Sequence, residues 1–425
     1  MPALMPLPLL FDPAGKNWHL SSKKKPAKTL YWGVPLRPLP ISPAPSPPGA
    51  LAVQGFVTPT FPSILGPLIG ILSSENQDGS TKKDFDNYKA LSEAGQRLGG
   101  MVFVFGPGSV DWKNNTIRGH IYDKGRDQWP TCLFPFPNVV YNRIQSRLSE
   151  SRESSKNCIQ RFLDHPGITL YNPGFFNKAE ILSLLGKSSR LRKHLPETVP
   201  LESRSDLAAM LERHPEIYLK PANKSAGAGI IRLRKAPPRF TMHYYGKGRE
   251  LKEYSSGNIK ELWKKILQVM APSPYILQQA IDLARVSTRP FDCRVLVQKN
   301  RKGLWQVSGL GIRIAAQAQS ITTHVPRGGR LGLPGEVLRQ AFPRKNPARL
   351  GHRVTRLCLA AAGILEKHYH PLGEMTIDVG LDRRGRPWLF EANAKPAKFD
   401  EPDIRKKQLA QVIRYAQFLT FKNLR

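Results

Sequence analysis

A chain of 425 residues, 40% hydrophobic and 23% charged, is long enough for about two to three folded units and lies far from the composition of disordered chains. Its 65 Lys and Arg against 32 Asp and Glu leave a formal charge of +33, so an anionic partner is expected: nucleotide phosphate, an acidic polymer or peptide, or an anionic surface. The basic residues are spread along the chain instead of forming one arm, and no recognisable module is present, so no specific nucleic acid is expected. The cysteines Cys132, Cys158, Cys293 and Cys358 form no CxxC pair, which excludes a zinc knuckle or disulfide framework and points to a reducing compartment. The apolar start carries Pro2, Pro6 and Pro8 without a basic flank, and no stretch nears ~18 uninterrupted apolar residues. No signal peptide or transmembrane segment is therefore expected, and the location is expected to be cytoplasmic.

The first fifty residues hold 12 of the 38 prolines, ending in Pro43-Ala44-Pro45-Ser46-Pro47-Pro48, and are expected to be extended with a stiff linker. Lys23-Lys24-Lys25 is the longest basic run and is expected on a solvated surface. Over 51–171, apolar runs at 63–72 and 101–105 predict strands, with a helix between them on the spacing of Phe85, Tyr88 and Leu91. Gly106-Pro107-Gly108 lacks a third glycine and is a plain turn, not a dinucleotide fingerprint. From Phe176 onward helices and strands alternate. Asn258 opens a helix that Pro272 closes, and helices are predicted over 347–368 and 403–421 from the periods of Leu350, Val354, Leu357, Ala361 and Leu365 and of the C-terminal segment.

The strongest chemistry lies in two strands joined by the turn Asp382-Arg383-Arg384-Gly385. A turn centred between Arg384 and Gly385 sets Asp378 opposite Glu391, with Asn393 on the same face and Trp388 and Phe390 on the other. Facing carboxylates repel unless a cation lies between them, and two carboxylates with an amide suit Mg²⁺. Upstream, Lys220 ends the apolar strand Ile217-Tyr218-Leu219-Lys220. A small-residue loop with Ser225, Ala226, Gly227 and Gly229 follows, able to offer backbone N–H groups to phosphates.

These residues resemble the metal-binding end and phosphate loop of ATP-grasp enzymes such as D-alanine–D-alanine ligase and glutathione synthetase. The resemblance implies an α/β protein (α+β lobes) with an ATP-grasp fold, and identifies further parts. Lys187, in Gly186-Lys187-Ser188, matches a first lysine at the start of a helix; Ile181 replaces the glycine that a Walker A motif would need. Gln278, Gln279, Ile281 and Asp282 match the adenine hinge and ribose acid, with Gln278 standing where the family often has Glu. Arg294 matches the arginine at the transferred phosphate. Arg327, Gly328, Gly329 and Arg330 match a loop at the acceptor site, where paired arginines can grip a carboxylate.

Across most of the chain, including Leu65-Gly66-Pro67-Leu68-Ile69-Gly70 and Leu195-Pro196-Glu197-Thr198, the sequence is similar to the YheC/YheD family of endospore coat-associated proteins. The implied division is a proline-rich segment 1–50, a pre-grasp α/β domain 51–175, a central lobe 176–280 and a C-terminal lobe 281–425 with the metal site. The implied function is a ligase in which ATP and Mg²⁺ activate a carboxylate as an acylphosphate for a nucleophile. Arg294 and Lys220 act as catalytic cations, and Asp378, Glu391 and Asn393 as metal ligands. The alternative is a coat scaffold that binds nucleotide without turnover.

Overall fold

The computed structural model describes residues 4–13, 16–21, 29–42, 50–58, 63–76, 85–222, 227–246 and 250–422. Lys23, Lys24 and Lys25, the proline run 43–48, and the loop residues Ser225 and Ala226 lie outside the described residues.

Strands from 5–65 form a seven-stranded sheet in which Met5–Asp12 pairs along the whole of Leu51–Val57. Asn17–Ser21 joins Met5–Asp12 only from Leu9 onward, so Pro6 and Pro8 lie on an open edge, where a missing N–H costs no ladder bond. The sheet thus runs across residue 50, the boundary drawn from proline content; prolines report the lack of helix, not the strand's partner.

In the second seven-stranded sheet, Leu68–Leu72 lies parallel between Val139–Asn142 and Met101–Phe105. All three strands are apolar and buried on both faces, as a parallel sheet requires. The expected helix crosses between them at Asp86–Leu98 and ends at Gly99, whose φ of 92° is left-handed. The two sheets share one core, in which Phe103 and Phe134 stack at 4.2 Å.

The third sheet has six antiparallel strands, with Glu216–Pro221 between Tyr275–Gln279 and Ile231–Ala236. Strand alternation buries Ile217 and Leu219 against the helices Arg204–Arg213 and Ile259–Val269 and turns Tyr218 and Lys220 to the opposite face. Each fully buried leucine or isoleucine there stabilises the lobe by about 1.5–3 kcal/mol. Asn258 caps the second helix by accepting from Lys260 N, as its sequence position predicts.

The fourth sheet carries Trp305–Ile314, Arg289–Lys299, Glu374–Leu381 and Pro387–Asn393 in that order, with helix Pro347–Tyr369 packed on one face. Helix Lys178–Gly186 packs into this same core through Ile181, Leu182 and Leu185. The final helix, Pro402–Phe421, returns to the second sheet, where Val412, Ile413 and Ala416 meet Ile69, Tyr88 and Leu91. The uncovered faces of the third and fourth sheets enclose a cleft. Among the described residues no helix is long and apolar enough to cross a membrane, and the cysteines are free and buried.

Candidate active site

The hairpin Glu374–Leu381 and Pro387–Asn393 pairs Asp378 with Glu391 and Thr376 with Asn393. Nearer the turn, Gly380 pairs with Trp388 and Val379 with Leu389, one residue out of the expected register. A β-bulge between Asp378 and Val379 absorbs the offset. The bulge also corrects a facing: Phe390, expected on the far side, lines the cleft together with Glu391, because the extra residue breaks the period of two. The buried residues on that strand are Pro387, Leu389 and Ala392, the last two three apart instead of two.

Asp378 is 6% exposed. Arg313 Nη2 approaches its Oδ2 at 3.1 Å and Arg294 Nη1 its Oδ1 at 3.7 Å. Burial opposes ionisation of Asp378, but Arg313 and then Arg294 outweigh it and hold the carboxyl below the usual carboxylate range. Sequence reasoning missed Arg313. It donates Nε and Nη2 to the two oxygens of Asp292 at 2.9 and 2.7 Å, and Thr323 Oγ1 donates to Asp292 at 2.8 Å. A buried arginine with two carboxylates is thus fixed in place, and its signal was a lone charge in the apolar strand Trp305–Ile314. His324 lies beside it, with Nδ1 3.3 Å from Arg313 Nη1; burial, then the Arg313 charge, lowers its pKa, so the ring is neutral at pH 7.

Lys220 Nζ donates to Gln278 Oε1 at 2.5 Å and lies 5.6 Å from the Phe390 ring centroid. Gln278 is 1% exposed and donates its own amide to Thr198 Oγ1, which fixes its oxygen toward the lysine. Burial lowers Lys220 to about 8, against the pull of Glu391. The lysine that helix Lys178–Gly186 places in the cleft is a different residue from the one expected. Lys187 follows helix Lys178–Gly186 at its C-terminal end, is exposed, and is absent from the cleft lining. Lys178 begins that helix, and its Nζ lies 3.3 Å from Glu391 Oε2. The helix starts there because Asn177 caps it, accepting from Ala179 N and Glu180 N. That cap was readable in the sequence.

The cleft holds two adjoining cavities. The first, about 620 Å³, is lined by Lys220, Gln278, Gln279, Ile281 and Asp282 of the expected set. Gln279 accepts Glu197 N through its side chain at 3.1 Å, and Asp282 pairs with Arg383 at 2.7 Å in the open. Gly227 and Gly229 adopt φ of 71° and 74°. A Cβ on Gly227 would come within 3.0 Å of His324 Cδ2, so glycine lets this loop close on the site.

The second cavity, about 1010 Å³, takes Arg294 and Asn393. Both cavities share Lys178, Arg313, His324, Asp378 and Glu391. The expected acceptor arginines stand elsewhere: Arg327 lies over the Tyr245 ring at 5.0 Å and Arg330 is exposed on a short edge strand. Gly328 has a φ of 85° and Gly329 leaves no room for a Cβ beside Thr323 O, so the glycines shape the loop. The loop borders the second cavity through Val325, Pro326 and Leu331 instead.

Among the described residues no three His, Cys, Asp or Glu cluster as a metal site. The mixed set of Asp378, Glu391 and Asn393 still fits a hard divalent ion: the donors are oxygens, and Asp378 Oδ1 is buried with no hydrogen-bond partner. The family described as YheC/D like ATP-grasp matches residues 167–419, more than half of the chain. The chain is 29% identical over 347 residues to the endospore coat-associated protein YheD of Bacillus subtilis (strain 168), covering 80% of this chain and 75% of that protein. It is 23% identical to YheC of the same organism, covering 75% and 87%. Among solved structures it is similar to D-alanyl-alanine synthetase A from Vibrio cholerae O1 biovar eltor str. N16961, with 15% identity, a TM-score of 0.46, and coverage of 84% and 97%. For the ATP-grasp ligase PsnB complexed with minimal precursor the values are 13%, 0.49, 83% and 99%. With an α/β fold, a cleft between two sheets and a matching family over most of that cleft, the chain belongs to the YheC/D-like ATP-grasp family.

Proposed function

We propose that the protein is an ADP-forming ligase that uses ATP to join a carboxylate to an amine or similar nucleophile. The observation that carries this reading is that Asp378 and Glu391 stand on the wall common to both cavities, one of which suits a nucleotide and the other an acceptor. Ile281 and its neighbours on the hinge would receive adenine, Asp282 the ribose, and Lys178, Lys220 and the 223–229 loop the phosphates. Mg²⁺ held by Asp378, Glu391 and Asn393 would supply charge neutralisation for the phosphate oxygens. Arg294 and Arg313 would hold the acceptor carboxylate and the transferring group in line.

The γ-phosphoryl group passes to a carboxylate oxygen with release of ADP. The nucleophile then attacks the acyl carbon, the C–O bond to phosphate breaks with its electron pair on the leaving phosphate, and the amine proton passes to solvent. Catalysis rests on positioning and preorganised positive charge. His324, neutral and lining both cavities, would relay that proton to solvent. The two relatives named as endospore coat-associated and the charge of +33 support a role near the spore coat or cell envelope.

The test is ADP release with Mg–ATP across a panel of carboxylate and amine acceptors, comparing wild type with Glu391→Gln. Acceptor-dependent ADP release lost in the variant supports the ligase. Tight Mg–ATP binding with no turnover on any acceptor favours the nucleotide-binding scaffold, and no Mg–ATP binding ends both readings.

A further inference from the structure

The second cavity is lined not only by Asn393 and Arg294 but also by Tyr88, Leu91, Leu409 and Val412, which belong to the first helix after residue 85 and to the final helix. Its lining gathers the cations Arg143, Arg147, Lys395, Lys398 and Arg405, together with the carboxylates Asp400 and Glu401. Lys395 is satisfied within the protein. Its Nζ donates to Asn142 Oδ1, Ile144 O and Glu150 Oε1 at 3.1, 3.2 and 2.8 Å.

The three arginines are less well matched. Arg143 comes no nearer to Glu374 than 3.7 Å, and its buried Nη1 has no hydrogen-bond partner. Glu374 is itself engaged by the Tyr141 hydroxyl and the Gln298 amide. Arg405 donates through Nη1 to Gln408 Oε1 at 3.1 Å, a neutral acceptor. Arg147 donates to Phe176 O, also neutral, and lies 5.2 Å from the Phe175 ring centroid. Burial and the neighbouring charge of Arg143 both weigh on the charged form of Arg405.

Like charges gathered in a partly buried wall repel unless an anion lies among them. Elsewhere in the cleft the protein supplies that anion: Arg313 has Asp292 and Asp378, and Lys178 has Glu391. Behind this wall Glu150 and Glu374 are already taken, and among the described residues neither Asp400 nor Glu401 forms an ion pair with the three arginines.

We propose that Arg143, Arg147 and Arg405 form a subsite for a second acidic group of the acceptor, so that the acceptor carries at least two carboxylates. One carboxylate lies at the reaction position beside Arg294, and the other meets this wall. The aromatic and aliphatic lining of the cavity packs the hydrocarbon between or beyond them. The assignment of the first carboxylate rests on the ligase reading; the subsite itself does not. The shared chemistry is a diacid unit, either free or as an acidic residue within a peptide.

Calorimetry at fixed ionic strength tests this with glutarate against its monoamide, and triglutamate against triglutamine, each with the full-length protein in the presence and absence of Mg–ADP. Either acidic probe is expected to bind at least about tenfold more tightly than its amide, a difference of ~1.4 kcal/mol. The stronger of the two acids identifies the free or the peptide-borne source. Because Arg143 also braces the buried Glu374, the variants are Arg405→Gln and Arg147→Gln, with thermal melting to verify folding. Both are expected to lose most of the acid-over-amide preference and to keep Mg–ADP affinity within about twofold, a change below ~0.5 kcal/mol. Equal binding of acids and amides, or wild-type preference in both folded variants, overturns the proposal. Absence of Mg–ADP binding or of turnover, with the acid preference intact, removes the ligase reading and leaves the subsite standing.

Discussion

Two carboxylates on the strand Glu374–Leu381 lie four positions apart on one face and meet opposite fates. Glu374, 1% exposed, has neutral donors in Tyr141 and Gln298 and an arginine at 3.7 Å, and burial raises its pKa. Asp378, 6% exposed, has Arg313 at 3.1 Å as well as Arg294, and its pKa falls. The first sits where the second sheet meets the fourth and joins Tyr141 to the hairpin; the second faces the open cleft. Depth in the protein is almost equal, so the nearby guanidinium groups decide which acid stays ionised and available to a cation.

The comparison breaks most visibly at Asp378. Asp378→Asn is expected to lower Mg-dependent turnover by at least about 100-fold, read as ADP release, with a circular dichroism spectrum like that of wild type. Next comes the nucleotide side. Lys220→Met is expected to weaken Mg–ATP binding by at least about tenfold in calorimetry.

In the wild type, Lys220 loses its charge as pH rises through about 8, so affinity should fall by up to about tenfold per pH unit above that point, and binding at pH 8 should take up protons. The stability sign is opposite. Between about 8 and the ordinary 10.5 the unfolded chain binds more protons than the folded one, so the penalty of burying Lys220, fully present below 8, fades as pH rises. Lys220→Met should remove both dependences.

Glu374 gives the intermediate effect, on stability. Glu374→Ala leaves Tyr141, Gln298 and Arg143 facing a void and should cost about 3 kcal/mol in denaturant melts, whereas Glu374→Gln should cost less. Because its folded pKa is raised, the unfolded chain ionises first as pH climbs past 4.5, and Glu374 subtracts stability until the folded form ionises too. Glu374→Gln should flatten that slope; an unchanged slope would show that another group sets it. The smallest effect separates the two candidate lysines. Lys187→Ala should stay within about 0.5 kcal/mol in stability and about twofold in ATP affinity, against about tenfold for Lys178→Ala.

Much of the lining of the first cavity was legible because its signals are local. Lys220 closes an apolar strand, the glycines follow it, and Gln278 to Asp282 continue from a strand of even pattern. The pairing of Asp378 with Glu391 was also legible, although the bulge that secures it was not: a bulge depends on what Phe390 packs against, here Gly380 across the hairpin and Lys220 from the other lobe. Lys178 was masked by Lys187, whose preceding glycine imitates a helix start, while the Asn177 cap carried the better signal. Arg313 was illegible because its meaning lies in Asp292, 21 residues earlier, and in Asp378 on the next strand. Non-local charge pairing has no period to read. The same applies to Arg143 and Arg405, which lie 262 residues apart in the chain and line one cavity only through folding.

The return of helix Pro402–Phe421 to the second sheet makes residues far apart in the chain finish one core. Ile69, Tyr88 and Leu91 are sheltered by Val412, Ile413 and Ala416, which follow them by more than 300 residues in the chain. Without that helix the second sheet and its crossing helix carry an uncovered apolar face. Asn172 likewise donates its side-chain amide to Glu374 O and Ala394 O. Residues 374–416 therefore complete both the cover of the second sheet and the surroundings of the hairpin, so a chain cut before them would lack a finished site.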